Sequence, residues 1–311
     1  MGFGAAVQAL RTAGAFALGR SDAIAGRRAV VVSRSHSHKS IMKILCTLAA
    51  LLALCGPAYA QEAGVQLDYE AFVAGFNVMK VHAGIDLRPD HYGIGLHVRT
   101  AGAMGAFVRG DTLTRVEGGF RGPAIQPQGY RSGGMWRGDP HIVNMSYEAG
   151  QPVVHTLLPS NQDDKREPVP PEATRNTIDS ISAVALLMHN IATTGRCESQ
   201  ATTYDGRRVS QVTVRTVAQE ILPEESRSSF QGQALHCQIE GHQTAGFPHD
   251  AGPDDYSRRP QAADVWLAAL TPGGPILPVL MEFPTKYMGR MRVYITEVKR
   301  GVNMAEFTPS N

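Results

Sequence analysis

The sequence predicts a mainly β protein: a strongly curved antiparallel sheet or open barrel wrapped around one central helix. Three observations carry that expectation. From Val65 onward, apolar and polar residues alternate with period two through most of the chain, the spacing of strands with one buried face. One stretch, Thr177–Ala192 (TIDSISAVALLMHNIA), instead repeats its apolar residues at three- and four-residue steps. Short turn signals join many of the alternating runs, which favours antiparallel neighbours. A buried helix among so many strands needs a sheet curved about it.

The first sixty residues stand apart from that fold. Met42-Lys43 precedes an apolar run from Ile44 to Cys55, then Gly56-Pro57 and Ala58-Tyr59-Ala60 before Gln61. A short positive start, an apolar core and an A-x-A site make a secretory signal peptide cleaved between Ala60 and Gln61. The run is too short for a bilayer-spanning helix, which needs roughly 20 residues. Met42 is a workable start, with a long n-region as the alternative. A lipoprotein reading through Cys55 meets a bulky Leu54 where a small residue is usual. The expected organisation is therefore 1–60 as N-terminal extension and cleaved signal peptide (signal proper 42–60), and 61–311 as a single β-rich periplasmic domain.

Charge and cysteines follow from that division. The whole chain carries a formal net charge of +2, but without residues 1–60 it keeps 23 basic against 27 acidic residues, a net −4. That removes the electrostatic case for nucleic acid as a partner. Cys46 and Cys55 go with the leader, leaving Cys197 and Cys237. Two cysteines in an exported chain are expected to form one disulfide. Closing a loop of some forty residues, it would contribute about 3–4 kcal/mol in the chain-entropy view. A redox pair or metal thiolates is the lesser alternative.

Taken in order, Val65–Val73, Met79–Leu87 and Tyr92–Val98 alternate cleanly and read as an antiparallel meander. Thr112–Phe120, Gly129–Trp136, Val143–Tyr147 and Val153–Leu158 read as further strands, less regular in pattern. Pro159–Asn176 is polar and proline-rich, a loop that delivers the chain to the helix. Thr177 reads as N-cap, Asp179 suits the helix dipole and Gly195 ends the helix. Ser199–Tyr204 and Val209–Val217 flank an Asp205-Gly206 hairpin turn. Phe230–Gln243 holds Cys237, Ala245–Pro260 is a second polar loop, and Ala263–Leu270, Pro278–Phe283 and Met291–Thr296 close the chain.

Chemistry is sparse. There is no G-x-S-x-G, H-E-x-x-H or Walker A pattern, so no cofactor is expected. His236, His242 and His249 form the closest histidine set, but without tight ligand spacing they read as solvated. His189 reads as a hydrogen-bonded boundary residue of the helix. The acid pairs Asp163-Asp164, Glu224-Glu225 and Asp254-Asp255 fall in loops and read as solvated. Tyr204–Arg208 (YDGRR) reads as an exposed hairpin tip. Gly129–Gly138, with Arg131 and Trp136, reads as a strand edge with bulges or as the rim of a contact surface.

Several of these pieces together resemble the DUF3108 family of bacterial exported proteins: YEAFVAGFNVMKV from Tyr69 to Val81, DSISA from Asp179, the Tyr204–Arg208 turn, and Val265-Trp266-Leu267 leading to Pro278–Glu282. The resemblance implies an exported β-rich domain like the curved-sheet lipoprotein-carrier folds, and brings no catalytic residues with it. The function expected is that of a non-catalytic periplasmic protein that binds a hydrophobic or lipid-like ligand in the cavity between helix and sheet, or assists envelope assembly. The alternatives are an envelope protein–protein interaction module or, less favoured, a hydrolase acting on an envelope polymer. A filled interior would count against the first, a large exposed apolar patch near Trp136 or the Ala245–Pro260 loop would favour the second, and His189, His236 and a carboxylate meeting in a cleft would favour the third.

Overall fold

The computed structural model describes residues 64–271, 273–285 and 288–309. The expected leader and its Ala60–Gln61 cleavage point lie outside the described residues. Thirteen strands form one sheet: β1 (Val65–Val73), β2 (Phe76–Leu87), β3 (His91–Thr100), β4 (Gly110–Arg121), β5 (Ala124–Trp136), β6 (Asp139–Glu148), β7 (Gln151–Leu158), β8 (Ser199–Tyr204), β9 (Val209–Leu222), β10 (Gly232–Ala245), β11 (Gln261–Ala269), β12 (Ile276–Pro284) and β13 (Arg290–Arg300). A short helix α1 (Gly102–Phe107) lies between β3 and β4, and a longer helix α2 (Ser180–Thr194) between β7 and β8.

The strand order is β7-β6-β5-β4-β3-β2-β1-β13-β12-β11-β10-β9-β8, and every pairing is antiparallel. Neighbours in space are neighbours in sequence except at one seam, where β1 pairs β13 from Val65↔Arg300 to Val73↔Met291. The sheet is not closed, since β7 and β8 are its edges and do not pair. Period-two burial follows from the pleat. Leu67, Tyr69, Ala71 and Val73 of β1 share one buried core with Cys237 and Ile239 of β10, Val265 and Leu267 of β11, and Val293 and Ile295 of β13.

Helix α2 begins two residues later than its sequence pattern suggests. The N-cap is Asp179 and not Thr177, because the Asp179 carboxylate accepts from the Ile181 and Ser182 amides. Gly195 ends the helix in the left-handed conformation at φ 64°. Ala185, Leu187 and Met188 are fully buried. The helix touches β3, β4, β5, β8 and β12, strands from both halves of the sheet. Cys197 and Cys237 are disulfide-bonded, tying the end of the helix to β10.

The Tyr204–Arg208 turn is a correction. It is buried, not exposed: Arg207 is 8% exposed and donates to the carbonyls of Leu158 and Pro159 at 2.7 and 2.6 Å. Gly206 stands against Val143 and Leu157 of β6 and β7. The turn between β8 and β9 thus fastens onto the far edge of the sheet. Sequence patterning could not place it there, because exposed and clasped D-G turns have the same local composition. Strand β5, with the glycine-rich Gly129–Gly138 run, is also no edge, because it pairs β4 on one side and β6 on the other.

Candidate functional site

Three polar clusters and one surface depression are the places where chemistry could occur. The first caps α2. Asp179 is fully buried and accepts from Ser182 Oγ at 2.6 Å and from Tyr147 Oη at 3.2 Å, besides the two amides. Tyr92 Oη and Ser182 Oγ lie 2.7 Å apart, extending the network to β3. Burial pushes the Asp179 carboxyl above its usual range despite these donors. Burial likewise raises the Tyr92 and Tyr147 hydroxyls, with the nearby Asp179 adding to the effect. Every polar group here has a partner inside the protein, which makes it a structural network.

Next along α2, His189 stacks on Phe120 with ring centroids 4.0 Å apart, and its Nε2 lies 3.2 Å from the Gly122 carbonyl. That matches its reading as a hydrogen-bonded boundary residue.

The second cluster lies on the sheet face opposite Cys237 and Val265. The His236 ring has Nδ1 2.7 Å from Glu220 and Nε2 3.1 Å from Asp264, and it stacks on Trp266 at 4.2 Å. Trp266 Nε1 donates to the second Glu220 oxygen at 2.8 Å. The chain of charges continues through Arg290, which pairs with Asp264 and Glu282, to Arg292. Burial works to raise the Glu220 carboxyl, but its bonds from Trp266 and His236 hold it below the usual range. His236 was expected to be solvated; it is instead mostly covered and held at both ring nitrogens. The partner acids lie 16 and 28 residues away in sequence, so only strand register brings them in.

The third cluster is the buried turn. Burial acts to raise the Asp205 carboxyl, but Arg208 and the amides of Arg207 and Arg208 outweigh it and hold the carboxyl low.

These clusters do not converge. His189 lies beside Gly122, while His236 is on a sheet face with Glu220 and Asp264. His242 and His249 are exposed. Among the described residues, no group of three or more His, Cys, Asp or Glu side chains is placed to hold a metal ion. The depression is at the surface: about 520 Å³, open, and lined by Ala106, Phe107, Val108, Arg109, Arg137 and Gly138. The sequence pointed to the Trp136 neighbourhood but missed Phe107 and Arg109. Phe107 ends Gly102–Phe107, which has neither capping residue nor periodicity to announce α1, and Arg109 follows it.

Comparison with known proteins gives a family and a neighbour. The model of a family described as a protein of unknown function (DUF3108) matches residues 66–296. No curated protein matches. Among solved structures, the chain is similar to the crystal structure of a beta-barrel-like protein of domain of unknown function DUF1849 from Brucella abortus. The two share 13% identity with a TM-score of 0.46, covering 78% of this chain and 99% of that one.

Proposed function

The chain belongs to the DUF3108 family, whose function is unknown, and from its geometry we propose that residues 61–311 form an exported, non-catalytic interaction domain of the cell envelope. In this reading the sheet curves about α2 as a rigid body, and the exterior makes the functional contacts. One observation carries it: Ala185, Leu187 and Met188 of α2 are fully buried in the core, while large apolar side chains remain exposed near Trp136, among them Phe107 and Met135. The contacts of α2 with strands from both halves of the sheet support the curved arrangement.

Export is supported by the Met42–Ala60 pattern and by the Cys197–Cys237 bond, which suits an oxidising compartment. The separation of His189 from the His236 cluster weighs against a hydrolase.

Native mass spectrometry of the protein purified from its own periplasm tests this directly. The expected result is the bare mass of residues 61–311. A stoichiometric apolar molecule released on denaturation would instead establish a carrier and sink the interaction-domain reading. An unprocessed mass confined to the cytoplasm would sink the export.

A further inference from the structure

We propose that one end of the sheet docks this protein onto an anionic lipid surface. The inference rests on the interaction-domain reading and names the partner that the reading leaves open.

Strand register gathers a set of turns at that end: β12 to β13, β1 to β2, β3 through α1 to β4, and β5 to β6, followed by the end of β7. They follow one another in the order of the sheet. Each carries a large exposed apolar side chain at or near its tip. These are Met288, Phe76 at 69% exposure, Phe107 at 87%, Met135 and Leu158. They make up five of the eight large exposed apolar side chains among the described residues. Of the others, Ile221 stands at the opposite end and Val217 and Val298 lie within strands. Single exposed apolar residues need no explanation, but one at each successive turn of the same end does.

Cations stand at the same end, although Arg121 and Arg300 are likewise exposed at the opposite one. Arg99, Arg109 and Arg137 are exposed, and their side chains make no ion pair or hydrogen bond among the described residues. Arg109 and Arg137 are held side by side, since the Arg137 amide donates to the Arg109 carbonyl at 2.8 Å. With Phe107 they line the open depression. Two guanidinium forks beside an exposed phenyl ring suit a phosphate headgroup with its acyl chains below.

The acids nearest to these arginines are Asp111, whose carboxylate is taken by His97 at 2.8 Å, and Asp139 beside the β5–β6 turn. Beside the end of β7, residues 159–167 pair with the loop 246–260, and these segments carry Asp163, Asp250 and Asp254. The apolar and basic tips therefore form an arc, which sets a tilted approach. Strands lie ~4.8 Å apart, so neighbouring hairpin tips stand about 10 Å apart with hollows between them. A protein partner needs a continuous, close-packed patch, whereas separated tips fit a surface that deforms around each one.

Vesicle flotation tests the proposal, using the purified protein whose native mass has been measured. Phosphatidylcholine vesicles with phosphatidylglycerol should bind at least about tenfold more tightly than phosphatidylcholine alone, and added salt should weaken that binding. Phe76→Ser with Phe107→Ser should lower binding about tenfold, and Arg109→Gln with Arg137→Gln should abolish the preference for phosphatidylglycerol. Ile221→Ser, at the other end, should leave both unchanged. All five positions are exposed, and unchanged urea midpoints would confirm that the variants fold.

Failure of the folded protein to float with anionic vesicles would overturn the proposal, as would binding that Ile221→Ser reduces and the rim substitutions do not. Saturable binding of the same rim to an envelope protein, without vesicle binding, would also overturn it while leaving the interaction-domain reading intact. A cargo found by mass spectrometry would do the reverse, removing that reading while the vesicle result stood on its own.

Discussion

Asp179 and Asp205 are two buried carboxylates whose surroundings push them in opposite directions. Burial dominates at Asp179 and raises it, whereas Arg208 and two backbone amides outweigh burial at Asp205 and lower it. The signs of their contributions to stability differ accordingly. With its folded value raised, Asp179 contributes fully below the ordinary carboxylate range, about pH 4, and that contribution is lost as pH rises through the folded value. Asp205, depressed, contributes above that range and loses its contribution as pH falls through its folded value. Urea unfolding from about pH 3 to pH 7 should therefore show Asp179→Asn removing a loss of stability with rising pH, and Asp205→Asn removing a gain. The same slope in both variants would contradict this assignment. Asp179→Ala should cost about 2–4 kcal/mol, since it removes the cap and leaves Ser182 and Tyr147 without their acceptor. The sequence pointed to an anion at the helix start, but not to its burial. That depends on Tyr92 and Tyr147, which arrive from β3 and β6.

At the scale of elements, the C-terminal turn shows what a glycine can signify in a strand. Phe307 is fully buried against the face of β2 and β3 that bears Gly84 and Gly95, stacked on His82, with Met304 beside Gly93. A Cβ on Gly95 would lie 2.2 Å from Phe307 Cγ, and one on Gly84 would lie 2.5 Å from its Cε2. Neither glycine has the positive φ that only glycine tolerates well, so closeness to the aromatic ring explains them. Arg115 fastens the same segment through the Met304 carbonyl and Thr308. Phe307→Ala should cost about 3–5 kcal/mol, and Gly95→Ala should cost nearly as much by expelling the ring. The double variant should be no less stable than Phe307→Ala alone, because the added methyl then meets a vacated space. Additive losses in urea unfolding would show that Gly95 and Phe307 act independently. The strands themselves were legible, and all thirteen observed strands overlap alternating or apolar runs in the sequence. The docked C-terminal turn was not, because His82, Gly84 and Gly95 meet Phe307 across more than two hundred residues.

At the scale of the molecule, one pairing joins the two halves. Strands β1 to β7 and β8 to β13 are each built from successive antiparallel neighbours, and β1 with β13 makes the seam. Side chains reinforce it, with Tyr69 Oη donating to the Pro278 carbonyl and Thr296 Oγ1 to that of Asp68. The Arg207 turn links the outer edges as well, so both flanks of the sheet are fastened. Unfolding should then be a single transition. The two tryptophans test this, since Trp136 lies in β5 and Trp266 in β11, one in each half. Trp136→Phe and Trp266→Phe each leave one reporter, and within each variant the fluorescence midpoint in urea should coincide with that from circular dichroism. Separate fluorescence and circular dichroism midpoints within a variant would show that the halves unfold independently.

The sequence by itself determined the β-rich class, the family, the position of the long helix and the cysteine pair. Each is written in local periodicity, short motifs or residue counts, which neighbouring residues settle among themselves. Only the tertiary structure decided that the D-G turn is clasped against the opposite edge, that His236 is held between Glu220 and Asp264, and that exposed apolar tips collect at one end of the sheet. Those features depend on which strands pair and in what register. Pairing is fixed by burial summed over the whole sheet and by bulges such as those in β1 and β10, not by any stretch read alone.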